Sequence, residues 1–475
     1  MPDRGRLRGA GVEFLADLPY PARPLLEDRA RAIETDVTTS SASPTVKLSR
    51  RAIAAGGQPI SYLMQKALAQ PELISLAAGF VDQQSLPIQA VDGAWRNLAA
   101  DESVAHAALQ YGTTAGYRPL REALLADQVA ADGNAAPWHS VTPEQVVVTS
   151  GSNQLLHLLV DTLCDPGDVI LCAAPTYFVF LGMLKNLGVR GVSIATDEEG
   201  IVPEALEEQL GRYAAGGELA RVKAIYVVSY FDNPRSVTMS AARRRAVVEL
   251  AERYSTDHKI YVLEDAAYRE LRFFGDDIPS IASYENSACE TVIVTQTFSK
   301  SFSPGVRIGW GLLPRELVEP ICDQKSNIDF GAPNLNQHLI YEAHRVGETR
   351  RQASRLREVY RAKRDAMVAA CDKYLAPISG VSYRRPIGGL YVWLTLPPGM
   401  DAGTESPLFN AALAAGVIYV PGEYSFACEG EPIVANTVRL SFGVQSPERI
   451  AVGIRLLSEA VRQVADASTS LRTTG

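Results

Sequence analysis

Seven short apolar, β-branched runs recur between helical stretches, and this alternation limits the possible folds more than any other feature of the chain. They span 146–149, 169–172, 192–195, 224–228, 260–263, 292–295 and 307–312. A strand with one wet face alternates polar and apolar residues. Most of these runs are apolar on both faces, which predicts strands of a mostly parallel sheet covered by helices on either side. Between them, Leu155, Leu156, Leu159 and Val160 share one helical face, and 243–252 reads as an amphipathic crossover. The expectation is an α/β open sheet of seven strands that binds its ligand at the strands' carboxyl ends.

Beyond about Pro333 the pattern changes. Long helical stretches at 335–344 and 351–371 precede strands at 388–394 and 438–442 and a closing helix at 447–465. This predicts a large domain over 101–335 and a smaller α+β domain over 336–475, with 46–100 packing against the smaller one. Residues 1–45 mix arginines and prolines with acids, and 38–43 is almost all Ser and Thr. Asp3, Glu13, Asp17, Glu27 and Asp28 argue against a transit peptide, so a flexible or wrapping extension is expected. It is too short for a DNA-binding domain of ordinary size.

Composition narrows the function classes. A length of 475 residues allows two cores, and 47% hydrophobic with 21% charged residues fits an ordinary globular enzyme. The net charge of −8 argues against an extended nucleic-acid surface. Six cysteines without CxxC spacing suggest free thiols in a reducing, cytoplasmic compartment. The histidines form no HExxH pair, and no apolar run reaches the roughly 18 residues needed to span a bilayer.

The loops after the runs carry the chemistry. Run 146–149 leads into Ser150-Gly151-Ser152-Asn153 and a helix, where free N–H groups, the helix dipole and two polar side chains would seat a phosphate. An ordinary N-cap is the alternative. Run 169–172 ends near Tyr177, which is placed to stack on an aromatic ring or simply to be buried. Run 224–228 leads to Asn233-Pro234, a donor amide or a plain turn. Run 260–263 ends in Glu264-Asp265 with Tyr268 three residues on, so Asp265 is a carboxylate for a pyridinium nitrogen or a helix cap. Finally, Thr297-Phe298-Ser299-Lys300 places an amine among hydroxyls, and Arg307 follows seven positions later. An aldehyde cofactor bearing a phosphate needs that amine, those hydroxyls and that guanidinium. Independent turns would rarely produce this order.

With these motifs in that order, 74–442 resembles the class I/II aminotransferases of fold type I, which depend on pyridoxal 5′-phosphate. The Lys–Arg spacing is closest to the aminoadipate/kynurenine branch, and MocR-type regulators share it. The resemblance implies transfer of an amino group from an amino acid to a 2-oxo acid through a Lys300 aldimine. Asp265 would pair with the pyridinium, Asn233 and Tyr268 would contact O3′, and Tyr177 would stack on the ring. Ser152, Asn153, Thr297, Ser299 and Arg307 would hold the phosphate. Leu109-Gln110-Tyr111-Gly112 resembles the segment whose tyrosine enters the neighbouring subunit's site, implying a homodimer. Ser75-Leu76-Ala77-Ala78-Gly79-Phe80 resembles the substrate loop, with Gly79 near the substrate, and Arg439 matches the arginine that binds the α-carboxylate. The family usually continues Asn-Pro-Thr-Gly, whereas Asn233-Pro234 continues Arg235-Ser236, adding a charge near the site mouth. That departure keeps a second reaction open, a lyase or other carbanion chemistry on the same cofactor. A DNA-binding regulator is a third reading, opposed by the acidic charge.

Overall fold

All seven apolar runs form strands of one sheet, because β-branched side chains fit a pleated surface that helices cover on both faces. They are β1 (Val146–Thr149), β2 (Val169–Ala173), β3 (Arg190–Ile194), β4 (Val222–Val228), β5 (Tyr261–Asp265), β6 (Val292–Thr297) and β7 (Gly309–Leu312). The computed structural model describes residues 46–473, apart from 56–61, 64, 67, 68, 71 and 78. The expected extension over 1–45 and Ala78 of the substrate loop lie outside the described residues.

The spatial order is β3-β2-β4-β5-β6-β7-β1, with β7 antiparallel to both neighbours and the other pairs parallel. The expected seven strands become eight, since Glu429–Gly430 pairs in parallel with the outer edge of β3. Val146, Val147, Val148, Val169, Ile170 and Leu171 are wholly buried. Each such side chain stabilises the fold by about 1.5–3 kcal/mol. The run expected to begin at Arg307 enters the sheet only at Gly309, because Arg307 takes a left-handed conformation (φ 49°, ψ 44°) that no strand accommodates.

Helix α1 (Ser152–Leu163) turns Leu155, Leu156, Leu159 and Val160 into the core, as their spacing predicts, and α2 (Ala241–Tyr254) is the expected crossover. A Cβ at Gly309 would lie 2.3 Å from the Ser152 nitrogen. Glycine there lets the loop opening α1 rest against β7. A second, antiparallel sheet runs Ser382–Tyr383, β8 (Tyr391–Thr395), β9 (Thr437–Ser441) and Val420–Pro421. Helices α3 (Glu348–Ala370) and α4 (Pro447–Thr473) pack together beside it, and Ile74–Ser75 pairs in parallel with Val417–Ile418.

All six cysteines are unpaired; Cys172, Cys289 and Cys371 are buried, Cys164 and Cys322 partly so, and Cys428 is exposed. Among the described residues no helix is long and apolar enough to cross a membrane.

Candidate active site

The carboxyl ends of β1, β2, β4, β5 and β6 open onto one cavity of about 730 Å³, its open mouth included. Ser152, Asn153, Tyr177, Asn233, Asp265, Tyr268, Thr297, Ser299, Lys300 and Arg307 all line it, and Gly79 closes one side with Phe80 and Val81. Eleven of the thirteen residues singled out from the sequence therefore meet, since Arg439 and Tyr111 lie elsewhere.

Lys300 sits in the short helix Phe298–Ser301, which Thr297 caps by accepting from the Ser299 N–H at 3.1 Å. Its Nζ donates to the Gly79 carbonyl at 2.8 Å, and it forms no ion pair among the described residues. Burial pushes the amine below its ordinary 10.5; Arg439 and Arg307 push the same way, against Tyr391 and Asp265. Asp265, at the end of β5 and 5% exposed, accepts from Tyr226 Oη at 3.0 Å and from the Ala267 N–H at 3.1 Å. Among the described residues no cation forms an ion pair with it, and burial raises its carboxyl above the ordinary range. Tyr226 is itself fixed by stacking on Phe180, centroids 3.8 Å apart.

At the opposite end, α1 begins without a side-chain cap behind Gly151, whose φ of 85° favours glycine. A Cβ at Gly151 would meet Arg307 Nη2 at 2.5 Å. Among the described residues the Arg307 guanidinium donates only to backbone oxygens, of Ser150 at 3.0 Å and Pro304 at 3.3 Å. Uncapped N–H groups, a helix dipole and a guanidinium without a carboxylate make an anion seat. Tyr177 stands beside it, its hydroxyl 3.4 Å from Asn153 Nδ2.

Arg439 lies on β9, one residue behind the cavity wall. Nη1 donates to Asn233 Oδ1 at 3.0 Å and Nη2 to the Ala77 carbonyl at 2.7 Å, while Nε is buried with no partner. Its guanidinium covers the Tyr391 ring at 4.4 Å. With Oδ1 occupied by Arg439, Asn233 keeps its amide N–H groups as donors.

Tyr111 is not brought to this cavity. It is 85% exposed, its ring 6.2 Å from Phe330, in a surface hollow with Leu109, Gly112 and Pro333. Arg235 corrects the sequence reading. It was expected to place a charge at the site mouth, but its Nη2 and Nε reach Asp232 Oδ2 at 2.8 and 3.1 Å, and Nη1 donates to the Asp197 carbonyl. Asp232 also accepts from the Arg235 and Val237 N–H groups, so the turn neutralises its own arginine and faces a separate small hollow. Sequence reasoning missed Tyr226 and Tyr391, whose hydroxyls reach Asp265 and Tyr268, because each sits inside an apolar strand and reads as core.

The unpaired groups are complementary to one molecule: a carboxylate for a ring cation, an amine for an aldehyde, and a guanidinium with a helix start for a phosphate. Pyridoxal 5′-phosphate carries all three. The known proteins agree. Class I and II aminotransferases match over residues 71–455. The aromatic-amino-acid aminotransferase 1 of Thermococcus litoralis is 33% identical over 84% of this chain and 90% of its own. The 2-aminoadipate transaminase of Thermus thermophilus is 34% identical over 84% and 92%. The crystal structure of Pyrococcus horikoshii kynurenine aminotransferase in complex with PMP matches with a TM-score of 0.79 and 31% identity, over 88% of this chain and 97% of that one. A cavity built for a phosphorylated pyridine aldehyde and a family match over most of the chain give one conclusion: it belongs to the class I and II aminotransferases and is a pyridoxal-phosphate-dependent aminotransferase.

Proposed function

We propose that Lys300 is the amine that holds the cofactor and then moves the reacting proton, with Asp265 and Arg307 anchoring opposite ends of the ring. The observation that carries this reading is Lys300 Nζ, half-buried at the cavity, with no ion pair among the described residues and held below its ordinary pKa. An amine that attacks an aldehyde and later accepts a proton from carbon needs a free lone pair. When bound, pyridoxal 5′-phosphate supplies the aldehyde that takes up the amino group and a protonated ring that draws off the electron pair of the broken Cα–H bond.

Asp265 keeps that ring protonated, because a neighbouring carboxylate favours the charged form. Asn233 and Tyr268 donate to the phenolic oxygen, and Tyr177 lies against the ring face. Ser152, Asn153, Thr297, Ser299 and Arg307 hold the phosphate at the start of α1. Arg439 binds the α-carboxylate of the amino acid and of the 2-oxo acid, which orients the Cα–H bond toward Lys300; its partnerless Nε supports this. Gly79, without a side chain, leaves room for substrate above Lys300. The chain works as a homodimer in which Tyr111 enters the partner's site, a reading supported by the exposed Leu109, Tyr111 and Phe330 around one hollow. Residues 336–475 form the small domain, with 46–100 against it, and 101–335 the large one. Unpaired thiols favour the cytoplasm.

Replacing Lys300 by Ala is expected to abolish turnover and the visible absorption of the lysine-bound cofactor. Normal turnover with that absorption retained would refute the assignment. Phe80 and Val81 on the cavity wall favour a donor with an apolar or aromatic side chain, in keeping with the aromatic and kynurenine names of similar proteins. In the same spectral assay phenylalanine should bleach the wild-type band faster than aspartate; the reverse order would reject that donor class.

A further inference from the structure

We infer that Tyr391 is a positioning residue for the transfer reaction: its hydroxyl donates to Tyr268 Oη and thereby turns the single Tyr268 proton toward the cofactor's phenolic oxygen. This rests on the reading above, in which Tyr268 contacts that oxygen. The two hydroxyls lie 3.1 Å apart, with the rings edge to face and both residues buried. A phenol has one hydrogen to give. If Tyr268 gives its hydrogen to Tyr391, nothing remains for the ring; if Tyr391 gives, Tyr268 is free to donate onward.

The surroundings choose the second arrangement. Arg439 covers the Tyr391 ring at 4.4 Å, and Lys300 Nζ is bonded to the carbonyl of Gly79, where a Cβ would lie 3.0 Å from Tyr391 Oη. Burial raises the Tyr391 phenol, while Arg439 over its ring, Lys300 and the hydrogen bond with Tyr268 lower it, leaving it below its ordinary value. The more acidic phenol is the better donor, and a donor–acceptor chain strengthens each of its bonds. The backbone holds the arrangement: Tyr391 pairs with Ser441 across β8 and β9, and the Ser236 hydroxyl donates to the Tyr391 carbonyl at 2.8 Å. Ser236 belongs to the turn that departs from Asn-Pro-Thr-Gly, and so ties that turn to this hydroxyl.

The test uses the holoenzyme and the pH midpoint of its visible band. Tyr391→Phe keeps the ring under Arg439 and weakens the donor to the phenolic oxygen, so the deprotonated cofactor is less stabilised. The midpoint should rise by about half a pH unit, with kcat reduced a few-fold and donor KM little changed. Tyr268→Phe should raise it further, and adding Tyr391→Phe to that variant should add nothing. Incorporating 3-fluorotyrosine at 391, a more acidic phenol, should move the midpoint down. An unchanged midpoint in Tyr391→Phe, or a full additional shift in the Tyr268→Phe background, overturns the inference. Either result leaves the Lys300 assignment intact, which fails only if Lys300→Ala keeps its band and turnover.

Discussion

Glu264 and Asp265 are neighbours on β5, and the two-residue period of a strand sends them to opposite faces of the sheet. Both carboxyls are buried, and burial raises both above the ordinary range. Glu264 is opposed in this by a full set of partners: Arg244 at 3.1 Å, the Ser229 hydroxyl at 2.6 Å and the Ile281 N–H at 2.9 Å. Arg244 in turn donates to the Met239 and Ser229 carbonyls. Among the described residues Asp265 has a phenol and one backbone N–H as partners, and no cation. The same contrast separates Lys363, paired with Asp82, from Lys300, and Arg235 from Arg439. Burial alone does not mark a catalytic charge here; a charge at the cavity without a counter-charge does.

The largest expected effect divides the two carboxylates. Asp265→Asn should lower kcat on the order of a thousandfold, since the ring charge loses its partner in a water-poor site, while the melting temperature changes little. Glu264→Ala should do the reverse, leaving Arg244 buried and unpaired at a cost of about 3–5 kcal/mol of stability. Steady-state kinetics and thermal melts on both variants check this. An Asp265 variant within tenfold of wild-type turnover would break the comparison.

The arginines give the next effect down. Arg439→Lys replaces a planar fork with a point charge, and KM for the amino donor should rise about ten- to a hundredfold, equivalent to one or two lost charge-assisted bonds. Arg235→Thr leaves the buried Asp232 carboxylate with only its backbone N–H partners, at a cost of about 1–3 kcal/mol of stability, with KM nearly unchanged. A large KM effect from Arg235 would return that charge to the substrate.

These contrasts show what the sequence could and could not reveal. The strands were legible because a run apolar on both faces has one stable home, a covered parallel sheet. Most of the site was legible for a related reason: its residues follow the strands in order, and strand ends of one parallel sheet share an edge. Tyr226 and Tyr391 were not legible, because an aromatic inside an apolar strand packs as core, and only the three-dimensional neighbour shows where its hydroxyl goes. The fate of Arg235 depended on the Asp232 carboxylate folding back over its own turn, which no spacing rule announces. The Glu429–Gly430 edge strand is held by backbone bonds to β3 and by the Arg190–Glu429 ion pair, and two residues are too few to show a strand pattern.

Glu285 sharpens the comparison from the other side, as a buried carboxyl that also lacks a cation but lies away from the cavity. Backbone N–H groups of Cys289, Thr291 and Val292 bond it at 2.8, 2.5 and 3.2 Å, yet burial outweighs them and raises it from 4.5 to about 7. Between those two values the folded chain holds a proton that the unfolded chain has released. The stabilisation from this group is therefore complete below about pH 4.5 and lost as the pH rises through about 7, with a slope of at most about 1.4 kcal/mol per pH unit. Thermal melts across that range should show the decline, and Glu285→Gln should flatten it while transamination stays within about twofold of wild type. Its carboxyl is answered by three N–H dipoles rather than by a ligand, so its ionisation acts on the fold and not on the chemistry. A Glu285 variant that lost turnover as severely as Asp265→Asn would mean that a missing counter-charge marks function even where no cavity reaches it.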